Sequence, residues 1–260
     1  MKRVLTRTGF ADFVEVRARN RKRWLLGPVQ KALRARGYTL AVRNSDGSGS
    51  PWHNRSSACE TIISIARLDS IQECVESVLS DDVPGDLVEV GAWRGGGSIF
   101  LRAVLAAYGV QDRRVWVADS FAGFPDDAHR QPADRGIDFS AGLGEEFFAV
   151  DVQTVKANFA RYDLLDDQVT FLEGWFDDTL PGAPIESIAV LLLDGDLYGS
   201  THDALSVLYP KVSNGGFVIV DDYGWHDNCR RAVDEFRAQN EIRDPLVSID
   251  DQLVFWRRWG

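Results

Sequence analysis

The sequence predicts an α/β fold, a mainly parallel seven-stranded sheet covered by helices on both faces and ending in an antiparallel hairpin. Three observations predict it. Short runs rich in β-branched and aromatic residues alternate with helix-length segments from residue 86 onward, the pattern of a sheet built by right-handed crossovers. The first run, "DLVEV", leads straight into the glycine-rich "GAWRGGG", where a doubly wound sheet places its first ligand loop. The last two runs, "PLVSI" and "LVFWRR", are separated only by Asp250, Asp251 and Gln252. That link is too short for parallel strands, so the two pair as a hairpin.

The chain begins with a basic arm. Residues 1–43 carry twelve Lys or Arg against only Asp12 and Glu15, so the net charge of −10 over 260 residues hides an acidic remainder. Within the arm, "ADFVEVRARNRKRWLLGPVQKALRARGY" has mixed helical periodicity broken at Gly27-Pro28, which predicts two short helices. "NSDGSGSPWHNRS" then reads as a flexible connection. The chain is thus divided into an arm or helical lid, residues 1–56, and a Rossmann-like domain, residues 57–260. A basic arm can neutralise phosphates or dock on an acidic body; the acidic remainder argues against nucleic acid. No apolar run reaches the roughly eighteen residues of a membrane span, and "MKRVLTRTGF" lacks the apolar stretch of a secretory signal. A cytoplasmic protein is expected. Cys59, Cys74 and Cys229 show no CxxC or zinc spacing and read as reduced, buried thiols.

From Thr61, "TIISIARLDSIQECVESVL" places apolar residues at helical spacing until Pro84-Gly85 stops it. Strands are expected at 86–90, 114–119 ("RVWVAD"), 168–172 ("QVTFL"), 188–194 ("IAVLLLD") and 216–222 ("GFVIVDD"). Between and after them "SIFLRAVLAAYG", "TVKANFARY", "STHDALSVLYPKV" and "NCRRAVDEFRAQN" read as helices.

The glycine loop restricts the ligand. A dinucleotide site would read GxGxxG and set a pyrophosphate on the helix N-terminus. Here Trp93 stands at the middle glycine, between Gly91 and Gly95, and Glu89 closes the strand. A carboxylate repels a pyrophosphate but attracts the ammonium of an amino acid moiety, so the loop favours S-adenosylmethionine over NAD. A tight turn with no ligand is the alternative. Asp119 ends the next strand, where an acidic residue accepts the two hydroxyls of an adenosine ribose. Ser120 and Phe121 would line the adenosine, Phe121 being equally compatible with the core. Gly174 and Trp175 follow the third strand at the adenine side, and Trp175 could also be a core residue.

Asp194 lies at the end of the fourth strand, and Asp221 with Asp222 at the end of the fifth. Three crowded carboxylates raise one another's pKa or destabilise the fold unless a cation joins them. Oxygen-only ligands suit Mg²⁺. Asp196 is close enough to be a ligand, a supporting group or a base. Alternatively the acids cap helices or pair with Arg230 and Arg231.

From about Thr61 to Arg237 the chain resembles the macrocin O-methyltransferase family, the magnesium-dependent sugar methyltransferases of macrolide and aminocoumarin antibiotic pathways. The resemblance is carried by "RLDSIQECVESVL", "PGDLVEVGAWRGGGSIFLRAVLAAYGV", "DRRVWVADSFAGFP", "VKANFARYDLLDDQVTFLEGWFDDTLP" and "LLLDGDLYGSTHDALSVLYPKVSNGGFVIVDDY". The loop "EVGAWRGG" is also similar to that of catechol O-methyltransferases, in which a bulky residue replaces the middle glycine. The family implies a class I S-adenosylmethionine-dependent methyltransferase fold, a helical lid near the N-terminus, and Mg²⁺ on Asp194, Asp221 and Asp222. The implied cofactor positions are Glu89, Gly91, Ala92, Trp93, Arg94, Gly95 and Ser98 around the first loop. Asp119, Ser120, Gly174, Trp175 and Asp194 follow at later strand ends, with Thr61 ahead of the first helix.

Methyl transfer to a sugar hydroxyl then needs activation of a poor nucleophile. Mg²⁺ across two vicinal hydroxyls would lower one pKa and position that oxygen. Asp194 is the first choice as ligand and base, Asp196 the next, and His226 a third. The acceptor is a small-molecule sugar, as a glycoside or a nucleotide-linked deoxysugar; a catechol or other phenol is the alternative that shares every residue above. The chain departs from the family pattern in its arm and in "HRQPADRGIDFSAGLGEEFFAV", residues 129–150, where acceptor contacts are expected. A homo-oligomer is expected because such arms exchange between subunits.

Overall fold

The structure is a computed structural model that describes residues 13–15, 41–43, 59–139 and 144–260. The chain divides into two compact units, Met1–Ser64 and Ile65–Gly260. In the first, β1 (Phe13–Glu15) pairs antiparallel with β2 (Ala41–Arg43), Val14 opposite Val42. Residues 13–15 are therefore extended where helical periodicity places a helix; Phe and Val favour a pleated strand once a partner is present. The rest of the two predicted arm helices lies outside the described residues.

The second unit carries the expected seven-stranded sheet. Its strands are β3 (Asp86–Val90), β4 (Val115–Asp119), β5 (Val169–Glu173), β6 (Ile188–Leu193), β7 (Val212–Val220), β8 (Val247–Ser248) and β9 (Val254–Arg257), in the order β5-β4-β3-β6-β7-β9-β8. The first five are parallel, β9 runs antiparallel to β7, and β8 antiparallel to β9. The order reverses between β3 and β6, and ligands of such sheets bind beyond the carboxyl ends at that reversal. β6 is buried along its whole length, as a central strand covered on both faces must be.

Among the described residues, six α-helices connect or flank these strands: α1 (Ile65–Ser80), α2 (Gly96–Ala107), α3 (Val152–Arg161), α4 (Phe176–Thr179), α5 (Tyr198–Leu208) and α6 (Asp227–Gln239). α1 buries Leu68, Ile71, Cys74, Val75 and Val78, the 3–4 spacing of one helical face. α3 starts at Asp151, whose carboxylate accepts the Thr154 N–H at 2.9 Å. The four-residue α4 has no separate expectation in the sequence. All three cysteines are buried.

β7 starts at Val212, four residues before the predicted run. Gly215 takes φ +84° and the pairing with β6 shifts register between Ile188 and Val190, so an irregularity lets the strand begin early. β8 is shorter than "PLVSI" because the Asp250 carboxylate draws the chain into the turn, accepting the N–H groups of Gln252 (2.9 Å) and Leu253 (2.8 Å). No helix among the described residues is long and apolar enough to cross a membrane.

Candidate active site

The carboxyl edge of the sheet gathers the acids singled out in the sequence. The end of β3 runs so close to the end of β6 that a Cβ on Gly91 would overlap the Asp194 carbonyl, and Gly91 takes φ +88°. Only glycine satisfies both demands. Trp93 adopts a left-handed backbone at φ +47°, a conformation that costs a bulky residue on the order of 1–3 kcal/mol. Its side chain supplies compensation. The indole N–H donates to the Phe147 carbonyl at 2.9 Å, the two rings lie 5.1 Å apart, and the Arg94 guanidinium sits 4.5 Å from the indole centroid. Trp93 thus ties the glycine loop to the 145–148 segment, which a glycine could not do.

Asp119 is the other anchor of this loop. Its Oδ2 accepts the N–H groups of Ala92 (2.7 Å) and Trp93 (3.0 Å), and its Oδ1 that of Phe121 (2.7 Å). Burial pushes its pKa above the usual range while these three donors pull it back. A carboxylate offers about four acceptor positions, and these backbone donors occupy three of them. Glu89 is also committed. It is buried, and its Oε2 accepts both the N–H of Ser98, at 2.7 Å, and the Ser98 hydroxyl. Burial raises its pKa to about 8 despite those donors. A Cβ on Gly97 would overlap the Glu89 carboxylate, so the residue closes the first turn of α2. Gly95 is the N-cap of that helix at φ +84°.

On the adenine side, Ser120 shapes its own turn: the hydroxyl donates to the Gly123 carbonyl (2.8 Å) and accepts the Ala122 N–H (3.1 Å). Phe121 is a core residue, 7% exposed, against Phe171. Gly174 takes φ +138° and donates its N–H to the Asp119 carbonyl at 3.0 Å. Trp175 is 40% exposed. The core alternative for it therefore falls away, leaving an aromatic face at the end of β5.

The three aspartates expected to hold a metal are brought together. Asp194, Asp221 and Asp222 each present a carboxylate oxygen within 4.8 Å of the others, the one such cluster among the described residues. Asp194 follows β6 and donates its N–H to the Val90 carbonyl at 2.8 Å; Asp221 follows β7 and donates to Leu193 at 2.9 Å. Burial, then Asp222 and Asp221, lift the Asp194 pKa well above the ordinary carboxylate range. Burial also carries Asp221 up to about 7, against the pull of Arg67. Asp222 is raised chiefly by burial. Asp221 Oδ1 is buried with no hydrogen-bond partner among the described residues, a costly state unless a cation takes it up. Asp196 stands beside the trio. It has a left-handed φ of +56° and its N–H donates to Asp222 Oδ2 at 3.0 Å; burial and then Asp222 raise its pKa well above the usual range. Arg230 and Arg231 do not serve these acids, pairing instead with Asp227 (3.9 Å) and Glu235 (3.5 Å).

The segment expected to contact an acceptor is well anchored where it is described. Buried Asp134 accepts the N–H groups of Tyr198 (2.8 Å) and Gly199 (2.9 Å) at the start of α5, and the Asn228 amide (2.8 Å). Buried Arg130 donates to the carbonyls of Pro125 and Ile137, both at 2.9 Å, and to Glu145 at 3.0 Å. His226 lies edge-on to Phe139, with ring centroids 5.0 Å apart. Thr61 belongs to the first unit, where its hydroxyl accepts the Ile63 N–H at 3.0 Å.

Sequence reasoning missed Arg67, Asp250 and Asp134. For Arg67 a signal exists: it falls in step with Ile71 and Val75 on the apolar face of α1, where an unpaired cation would be costly. Nothing in the spacing of Asp134 points to the distant helix whose start it caps.

The family model described as macrocin O-methyltransferase matches residues 1–258. A Streptomyces olivaceus 8-demethyl-8-(2,3-dimethoxy-alpha-L-rhamnosyl)-tetracenomycin-C 4′-O-methyltransferase is 55% identical over 204 residues, 77% of this chain and 76% of that protein. A demethyldecarbamoylnovobiocin O-methyltransferase from Streptomyces niveus is 51% identical over 222 residues, 85% of this chain and 82% of that one. Among solved structures, the O-methyltransferase NovP superposes with a TM-score of 0.78 at 44% identity, covering 99% of this chain and 96% of that chain.

Proposed function

Since the chain belongs to the macrocin O-methyltransferase family, we propose that it transfers the methyl group of S-adenosylmethionine to a deoxysugar hydroxyl of an antibiotic glycoside, with Mg²⁺ held by Asp194, Asp221 and Asp222. The observation that carries the metal-dependent part is the trio itself: three carboxylates converge beside the glycine loop, and Asp221 Oδ1 has no hydrogen-bond partner among the described residues. Oxygen-only donors suit a hard cation. Bound there, Mg²⁺ would supply Lewis-acid activation of an acceptor hydroxyl.

The chain's own residues divide the remaining work. Trp175 offers a stacking face for adenine, and Asp119 one acceptor position for a ribose hydroxyl, while its other positions keep the loop in shape. The loop from Gly91 to Gly95 lets the backbone approach the methionine part of the donor. Asp194 is assigned as a ligand and as the first choice for the group that takes the hydroxyl proton, with Asp196, fixed beside Asp222 outside the trio, as the next. A sugar already attached to its aglycone is supported as acceptor by the 55% identical relative, whose name describes methylation of a rhamnosyl group on tetracenomycin.

The test is transfer of labelled methyl from S-adenosylmethionine to macrolide and aromatic glycosides, nucleotide deoxysugars and catechols, each with Mg²⁺ and with EDTA. Labelling of one glycoside class that EDTA abolishes is expected. Labelling confined to catechols, or insensitive to EDTA, overturns the assignment.

A further inference from the structure

The guanidinium of Arg67 ties the carboxylate trio to the rest of the second unit. It comes from the first turn of α1 and is buried. Nη1 donates to Asp221 Oδ2 at 2.9 Å, Nε to Asp250 Oδ2 at 2.6 Å, and Nη2 to Gln252 Oε1 at 2.5 Å. These acceptors lie on two elements, the end of β7 and the β8–β9 turn. Each is itself fixed. The second oxygen of Asp250 holds the N–H groups of Gln252 and Leu253, and the Gln252 carbonyl accepts the Gly224 N–H at 2.9 Å. Gly224 packs so tightly on the turn that a Cβ there would overlap the Asp251 carbonyl. One oxygen of Asp221 is therefore spent on Arg67, and the other is the buried oxygen without a partner among the described residues.

We infer that Arg67 is a positioning residue for the divalent-cation site, holding Asp221 as a one-oxygen ligand and coupling that grip to the β8–β9 turn. The inference rests on the reading that the trio binds Mg²⁺. A carboxylate free to rotate presents either oxygen or both, and ordering it costs binding free energy that a prearranged fork removes. The guanidinium stays protonated at all working pH values, so it offsets part of the repulsion within the trio whether or not the ion is bound. Lysine keeps the charge but cannot span three acceptors in one plane.

Binding of Mn²⁺ to the full chain, followed by the loss of the free-ion electron paramagnetic resonance signal, reads this role without turnover. Arg67→Met and Arg67→Lys are both expected to weaken Mn²⁺ by about 10- to 100-fold, the range for groups that orient metal ligands, with S-adenosylmethionine affinity and circular dichroism unchanged. Lysine restoring wild-type affinity would show that charge alone acts and overturn the positioning role. Unchanged affinity in Arg67→Met overturns it as well. Should Arg67→Met fail to fold, Asp250→Asn takes its place: weakened Mn²⁺ binding supports the coupling to the turn, and wild-type binding refutes it. Failure of the wild-type protein itself to bind Mn²⁺ would bring down the metal reading, and this inference with it.

Discussion

The two halves of the sheet's carboxyl edge use the same residue type in opposite ways. On the β3–β4 side, Glu89 and Asp119 are surrounded by donors: the Ser98 N–H and hydroxyl for one, three loop N–H groups for the other. On the β6–β7 side, Asp194, Asp221 and Asp222 face one another. A carboxylate held by backbone donors becomes part of the scaffold and orders a loop. Carboxylates turned on each other raise one another's pKa and are reconciled by a cation. The acids of the first side are satisfied within the chain, and those of the second are set against one another.

Removing a ligand from the second side tests that difference most severely. Asp194→Ala should lower methyl transfer by about 10²–10⁴-fold, the scale of a lost ligand or base, while calorimetry finds S-adenosylmethionine affinity nearly intact; full turnover would refute the role of Asp194. Next in size is the response of stability to pH and metal. Folded Asp221 and Glu89 bind protons more tightly than unfolded ones, near 7 and 8 against reference values of 3.8 and 4.5. Because the folded state then holds more protons, metal-free stability must fall as pH rises through that window. In EDTA the thermal midpoint should drop between about pH 5 and about pH 8. Mg²⁺ at roughly 100 times its Kd should add about 2.7 kcal/mol near pH 8, and less near pH 5, where protons compete for the same oxygens. Equal gains at both pH values would argue against binding at the trio.

Smaller effects belong to the first side. Trp175→Ala should weaken S-adenosylmethionine by about 1–3 kcal/mol, the worth of one base stacked on an aromatic ring, with no change in Mn²⁺ binding. Unaltered cofactor affinity would remove Trp175 from the adenine site. Glu89→Gln should change stability least below about pH 4.5, where the wild-type side chain is protonated in the folded and unfolded chain alike and the amide oxygen still accepts from Ser98. It should also flatten the pH profile between about pH 4.5 and about pH 8, and a profile identical to wild type would show that Glu89 does not titrate in that range.

Much of this arrangement can be read before folding is considered. Strand and helix alternation, the glycine loop and the terminal hairpin are local patterns, each written in fewer than about twenty consecutive residues. The acids at the strand ends follow from those patterns, because a parallel sheet brings all its carboxyl ends to one edge. What each acid does there is a different matter. Asp119 and Glu89 read in sequence as ligand-facing groups, and folding also gives them backbone donors from the following loop and helix.

The sequence by itself determined the sheet, its order of acids and the meeting of Asp194 with Asp221 and Asp222, since periodicity and strand ends are properties of short segments. Only the tertiary structure decided that Trp93 would reach Phe147, that Asp134 would cap α5, and that Arg67 would join Asp221 to Asp250 and Gln252. Partners that lie 54 to 185 residues apart are selected by packing and by the cost of leaving a buried charge or donor unpaired, and no local pattern records that choice.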